Sequence, residues 1–407
     1  MMIKKINYRK KHVDNCSKLS HFIYNVFYKK IKVMNIQNIS SINYQNNYNN
    51  LQSFKGYGAR PLETIVIRNP KYFPSLYRIT NELMNLSKKY SFRVLSEGKK
   101  IVDSITDVLS YGNNLNYLTP WIQDTVMAFN GILFYKGTND NKSELPEYLG
   151  MEYRKTNPSM YIPGGNIFLL DNDVILLGEN EDSFDAKASF NPKKLIRIPQ
   201  ADFHLDLFIR PLKDNVVLAV DDNMTLDMLQ KMLDKLSKDK KSNSKIISNV
   251  VKLIKDMKYA KRYTHYASTE KVISKLEEEG FKVVRVPGRI TKLDVNNSDN
   301  IVNILNYMNA IVHEEPNGDL VYITNRSLIM HRLGISARQA RALNINIEQI
   351  FADSIKDYIK SENIHFINGK TRNYDGEEQS SRENMQYILE KKQGGIHCLC
   401  MEIPKEF

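Results

Sequence analysis

Apolar positions along this chain keep two rhythms, one of helices and one of short strands. Leu62 to Ile67 is an apolar, β-branched run and predicts a strand. From Pro74 to Tyr90, Leu76, Ile79, Leu83 and Leu86 recur at helical spacing and predict an amphipathic helix. Phe92 to Leu95 predicts a second strand, residues 101–110 a helix, and Val126 to Tyr135 is an apolar segment. Two strands flank Asp171-Asn172-Asp173, a hairpin turn by composition. Phe203 to Ile209 and Val216 to Val220 predict a further strand pair. Met224 to Met257 reads as two charged amphipathic helices joined at Lys238 to Asn243. Ser268 caps a helix with Val272, Ile273 and Leu276 inside, and Gly280 stops it. Phe281 to Val286 is then a strand ended by Pro287. Ile311 to Val312 and Leu320 to Thr324 bracket the hairpin signal Pro316-Asn317-Gly318. Ile347 to Ile359 and Glu383 to Leu389 predict helices. Strand pairs and helices alternate, which gives an α/β class built from similar modules.

Composition sets the outer bounds. The chain has 407 residues, 42% hydrophobic and 26% charged, as ordinary globular proteins do. No apolar run approaches the roughly 20 residues that span a bilayer. Three cysteines, Cys16, Cys398 and Cys400, cannot build a disulfide framework, so a reducing compartment is expected, cytoplasmic unless the basic arm targets an organelle.

The net charge of +12 sits mostly at one end. Within the first 50 residues nine lysines and arginines stand against Asp14 alone, which leaves only a small positive excess for the rest. Residues 35–50 are uncharged and rich in Asn, Ser, Gln and Tyr, a composition that cannot build a core. Two parts are therefore expected: a basic, Asn-rich, disordered arm over 1–53 and a single folded domain over 54–407. The arm could meet nucleic acid or an anionic surface, or be an unselected solvated tail.

Chemistry-bearing residues are few. Gly394-Gly395-Ile396-His397-Cys398 leads two glycines into a cysteine, where backbone freedom and a bare approach would present a thiol. The competing reading is a buried structural cysteine. His204 and Asp206 alternate with Phe203, Leu205 and Leu207, so on a strand they share one face. They could be functional or a satisfied pair, with Asp206 ion-paired to Arg210. Asp124 follows the only tryptophan, Trp121, and precedes an apolar segment. His397 is a poor base for Cys398 if the chain is extended there, because adjacent side chains face opposite ways. A zinc site from Cys398, Cys400 and His397 lacks a second ligand pair at knuckle spacing.

In this order, Trp121-Ile122-Gln123-Asp124, Gly164-Gly165-Asn166, His204-Leu205-Asp206 and Gly394-Gly395-Ile396-His397-Cys398 resemble the guanidine-modifying enzyme superfamily. Its members include agmatine deiminases, protein-arginine deiminases, arginine deiminases and amidinotransferases. Trp-x-Gln-Asp is similar to the protein-arginine deiminase form, and Gly-Gly-Asn with Ile-His-Cys to agmatine deiminase. The resemblance runs from about Phe54 onward. It departs from the family at Cys400, where a Thr or Ser is usual, and at Thr125-Val126-Met127, where agmatine deiminases carry Gly and Pro.

The resemblance implies the pentein fold, a pseudo-fivefold α/β-propeller of ββαβ modules with the site at its centre. It implies that Asp124 and Asp206 grip a guanidinium, beside Gly165 and Gly395, through charge-assisted hydrogen bonds. Cys398 would attack as a thiolate, and His204 would move the protons. The implied activity is a deiminase acting on arginine, agmatine or peptidyl-arginine, a hydrolase of C–N bonds in linear amidines. No metal and no organic cofactor is needed for it. Two alternatives stay open: an amidinotransferase with an amine acceptor, and a catalytically silent pentein that binds an acidic partner.

Overall fold

The computed structural model describes residues 61–68, 76–96, 121–124, 126–135, 149–155, 162–263, 266–293, 301–327, 329–368, 385, 388 and 394–405. The basic arm, Cys16, the 101–110 helix and Tyr117 to Pro120 lie outside them, as does most of the 383–389 helix. Of that helix only Met385 and Ile388 are described, both helical and buried.

The chain folds as a mixed α/β structure of small sheets and helices. One pairing rule recurs in the sheets. Strand β1 (Leu62–Ile67) lies between β17 (Cys400–Pro404), antiparallel, and β2 (Arg93–Ser96), parallel. β4 (Ile132–Tyr135) lies in the same way between β3 (Val126–Phe129) and β5 (Glu152–Lys155). β7 (Val174–Gly178) lies between β6 (Ile167–Leu170) and β8 (Lys194–Ile198). β10 (Val216–Val220) lies between β9 (Ile209–Pro211) and β11 (Lys282–Val286). β15 (Leu320–Asn325) lies between β14 (Ile311–Glu314) and β16 (Ile364–Ile367). An antiparallel pair, β12 (Arg289–Leu293) with β13 (Ile301–Asn306), stands apart from this rule and was not read from the sequence.

A parallel partner needs a crossover, and in four of the sheets described, helices supply it. α1 (Tyr77–Ser87) bridges β1 to β2, and α2 (Ser183–Phe190) bridges β7 to β8. Between β10 and β11 run α3 (Asp222–Lys238), α4 (Ser244–Tyr263) and α5 (Thr269–Glu278). Between β15 and β16 run α6 (Ile329–Leu333), α7 (Ala337–Ala342) and α8 (Ile347–Ser354). The N-caps are chemical, not incidental. Asp182 accepts from the Phe184 and Asp185 N–H groups, and Asp221 from those of Asn223 and Met224. Ser268 caps α5 as read from the sequence, and Gly280 ends it at φ +90°.

Hairpin turns sit where short polar residues take positive φ: Asn130-Gly131, Asn172-Asp173 and Asp214-Asn215. The central strands β7, β10 and β15 are buried along their whole length, as strands covered on both faces must be. No described helix is long and apolar enough to cross a membrane.

Two sequence expectations fail locally. The strand over 203–209 begins only at Ile209; residues 201–204 bend and Leu205–Leu207 form a 3-10 turn. The helix over 347–359 stops at Ser354, and turns carry the chain to Ile359.

Candidate active site

The Cys398 turn is shaped by asparagines. Gly395 has extended backbone (φ −128°, ψ −158°), so space and not backbone strain makes it glycine. A Cβ there would lie 2.5 Å from Asn325 Nδ2 and 2.6 Å from Asn309 Oδ1, and one on Gly394 would lie 2.6 Å from the Trp121 ring. Then α9 (Ile396–Leu399) makes a single helical turn. Its first N–H groups have no partner inside the turn and need acceptors elsewhere. Asn325 Oδ1 takes that of Ile396 at 2.8 Å, and Asn309 Oδ1 takes those of His397 and Cys398 at 2.9 and 3.3 Å. The extended chain expected here is thereby replaced by a helical one. Cys398 ends inside the turn and Cys400 begins β17. Nor is the thiol left bare by the glycines, since Cys398 is only 5% exposed.

A second wall comes from Gly164 to Leu207. The Gly164 N–H donates to Asp124 Oδ1 at 2.8 Å. Asn166 Oδ1 accepts from the Leu205 N–H at 2.9 Å, and Asn166 Nδ2 donates to Phe203 O at 2.9 Å and to Glu181 Oε1 at 2.7 Å. These bonds bend the 203–207 segment, which is why it is no strand. The bend still brings His204 and Asp206 to one place. A ligand atom of each and the Cys398 Sγ all lie within 4.8 Å of one another. A Cβ on Gly165 would meet both, at 2.5 Å from His204 Nδ1 and 2.9 Å from Asp206 Oδ1. So little space separates the Gly165 main chain from the acid and the imidazole.

Asp206 is fully buried and is not paired with Arg210, whose Nη2 bonds Glu402 Oε1 at 2.5 Å instead. Its Oδ2 is crowded: His397 Nδ1 at 2.8 Å, Cys398 Sγ at 3.3 Å and Gln123 Nε2 at 3.3 Å. Its Oδ1 is buried and has no hydrogen-bond partner among the described residues. Burial alone would raise the Asp206 carboxyl, but the His397 hydrogen bond and the charges of His397 and His204 outweigh it and hold the group below its ordinary value. The Cys398 thiol goes the other way. Burial pushes it well above its ordinary value, the charges of Asp206 and Asp124 add to that, and hydrogen bonds from Gly395 and Asn309 oppose it. These influences favour a thiol on Cys398 beside a carboxylate on Asp206. His204, Asp206 and Cys398 are also close enough to share a small metal ion.

The four residues singled out for chemistry thus share one neighbourhood. Cys398, His204 and Asp206 converge, and Asp124 lies near enough for its charge to act on the thiol. Sequence reasoning missed His397, Gln123, Asn309 and Asn325. Gln123 stood inside a quoted motif, and Asn303, Asn306 and Asn309 recur at every third position, a signal that went unread.

No protein-family model matches the chain, and no curated protein does. Solved structures do. A C. jejuni agmatine deiminase is 14% identical, covering 86% of this chain and 96% of its own, with a TM-score of 0.46. An Enterococcus faecalis agmatine deiminase is 10% identical over 87% of this chain and 96% of its own, at a TM-score of 0.45. A dimethylarginine dimethylaminohydrolase is 10% identical over 84% of this chain and 100% of its own, at 0.39. They belong to the guanidine-modifying enzymes that the motifs of this chain resemble.

Proposed function

We propose that the protein is a hydrolase that deiminates a guanidino compound through a covalent adduct on Cys398. The observation that carries this reading is Asp206 Oδ1, a buried carboxylate oxygen without a hydrogen-bond partner among the described residues, on the carboxylate whose Oδ2 meets the sulfur at 3.3 Å. A buried carboxylate oxygen left without a donor is costly, and a planar cation with several N–H donors offsets that cost. Asp124, across the site, offers a second carboxylate for the same cation. A bound guanidinium would also set positive charge against the Cys398 thiol and draw it toward thiolate.

The steps then balance. Cys398 passes its proton to His204, the sulfur attacks the central guanidino carbon and a C–S bond forms. The C–N bond breaks as His204 protonates the leaving nitrogen, giving ammonia and an S-linked amidinium on Cys398. His204, now neutral, takes a proton from water, whose oxygen attacks the same carbon. The C–S bond breaks, and a ureide and the thiolate result. An amine in place of that water would make the enzyme an amidinotransferase, the alternative within the same chemistry.

The five sheets with one pairing rule support a ring of five ββαβ modules around this site, a pentein propeller formed by residues 54–407, with residues 1–53 as a separate basic arm. The test is a screen of arginine, agmatine and arginyl peptides for ureide and ammonia, run with and without a chelator. We expect turnover that the chelator leaves intact and that Cys398→Ala and His204→Ala each abolish. Ureide formation from none of these compounds would sink the proposal, and loss of turnover with the chelator would move it to a metal site.

A further inference from the structure

The Cys398 sulfur is met by donors that the steps above do not use. Asn309 Nδ2 lies 3.0 Å from it, and the Gly395 backbone N–H bonds it as well. Opposite them stands the Asp206 Oδ2 acceptor. A thiol can point its hydrogen at that carboxylate, whereas a thiolate needs the two N–H groups. The geometry around the sulfur provides for both states.

We propose that Asn309 is a further residue of the reaction, whose side-chain amide holds the Cys398 sulfur as an anion while its carbonyl oxygen fixes the turn that presents it. The inference rests on Cys398 being the nucleophile. Which end of the amide faces sulfur follows from bonding capacity. Asn309 Oδ1 already accepts the backbone N–H groups of His397 and Cys398, which only an acceptor can do. Nδ2 is therefore the end that reaches Sγ, and flipping the amide would break three bonds at once.

Other asparagines hold the amide in place. Asn306 Oδ1 accepts from the backbone N–H groups of Met308 and Asn309. Asn325 Nδ2 donates to Asn306 O and Asn309 O, while its own Oδ1 holds Ile396. Asn306 Nδ2 reaches Asn303 Oδ1, and Asn303 Nδ2 reaches Asp202, which pairs with Arg289. All four asparagines are buried. Donors fixed in advance stabilise developing charge without reorganising, and hydrogen bonds to charged groups are stronger than neutral ones.

The test reads the sulfur without any guanidino compound, so it can fail independently of the proposed hydrolysis. Alkylation of Cys398 by iodoacetamide is followed against pH, with the adduct located by mass spectrometry so that Cys16 and Cys400 do not interfere. Asp206, Asp124, His204 and His397 face or neighbour the thiol and are present in every variant, so their influence cancels in the comparison. In Asn309→Ala we expect the midpoint to move upward by about one pH unit or more, and alkylation near neutral pH to slow by roughly 10- to 100-fold. A merely structural role would loosen the turn and speed alkylation at every pH without moving the midpoint. That result, or a midpoint within a few tenths of wild type, overturns the proposal. Asn309→Asp keeps the size and the acceptor but replaces the donor, and should shift the midpoint in the same direction and further. If neither variant folds, Asn309 belongs to the fold alone and the proposal fails.

Discussion

His397 Nδ1 lies 2.8 Å from Asp206 Oδ2, the same oxygen that faces the Cys398 sulfur at 3.3 Å. The chain neighbour of Cys398 therefore serves the acid, not the sulfur. His397 stacks on Phe168 with ring centroids 5.7 Å apart, and the Arg210 guanidinium lies 5.5 Å from the centre of that same ring. The Asp206–His397 pair is thus backed by a packed aromatic and a second ion pair, Arg210 with Glu402.

Replacing His397 should show this division of labour. His397→Phe keeps a ring against Phe168 but removes the donor and positive charge that hold the Asp206 carboxyl down. Its carboxyl then rises, and the ionised form that grips a cation is lost at higher pH than before. We expect kcat/KM to fall about 10- to 100-fold, and the acidic limb of its pH profile to move upward. A profile of unchanged shape would show that His397 does not set the ionisation of Asp206.

Gly165→Ala is expected to separate activity from stability. Its new methyl would lie 2.5 Å from His204 Nδ1 and 2.9 Å from Asp206 Oδ1, so one of them must move. Overpacking of this kind costs about 1–3 kcal/mol in stability. Turnover should drop by at least about 100-fold, because displacements near 1 Å at a reacting group have that effect. Urea unfolding and ureide formation measured on one preparation check both; near-normal turnover would mean that the imidazole and the acid are free to shift.

His365 makes a prediction far from the site. Tyr90 Oη lies 2.6 Å from its Nε2, and burial, with nearby Lys89, pushes the imidazole from 6.5 down to about 4. The unfolded chain therefore takes up this proton first as the pH falls. Stability from His365 is complete above 6.5 and drains away toward about 4. In His365→Gln the wild-type loss between pH 7 and pH 4 should shrink, read as the difference in urea midpoints. Equal losses in both proteins would refute it.

Elements with a single strong local cause were legible in the sequence. The β1 strand, the Asp171 to Asp173 turn, the Ser268 cap and the Gly280 stop were all read where they stand. So were the two helices joined at Lys238 to Asn243, because their apolar stripes repeat over many residues. The 203–209 segment misled, since alternating apolar residues there satisfy a strand pattern while Asn166, about 40 residues upstream, supplies the bonds that bend it. The helical backbone at His397 was illegible for a related reason, although the reading that His397 is a poor base for Cys398 agrees with its bond to Asp206. Whether neighbours diverge depends on the backbone, and Asn309 and Asn325 decide that from far away. The convergence of His204, Asp206 and Cys398 was legible only through a resemblance of ordered motifs; no local pattern encodes it.

Strand β17 pairs with β1, and the sulfur sits in the turn just before it. Every strand of the other four three-stranded sheets precedes this sulfur in the chain. A message cut short before residue 396 would yield a chain with the strands of most of its sheets and without Cys398. The Cys398 sulfur and the strand that completes the first sheet are thus translated together, within a few residues of each other.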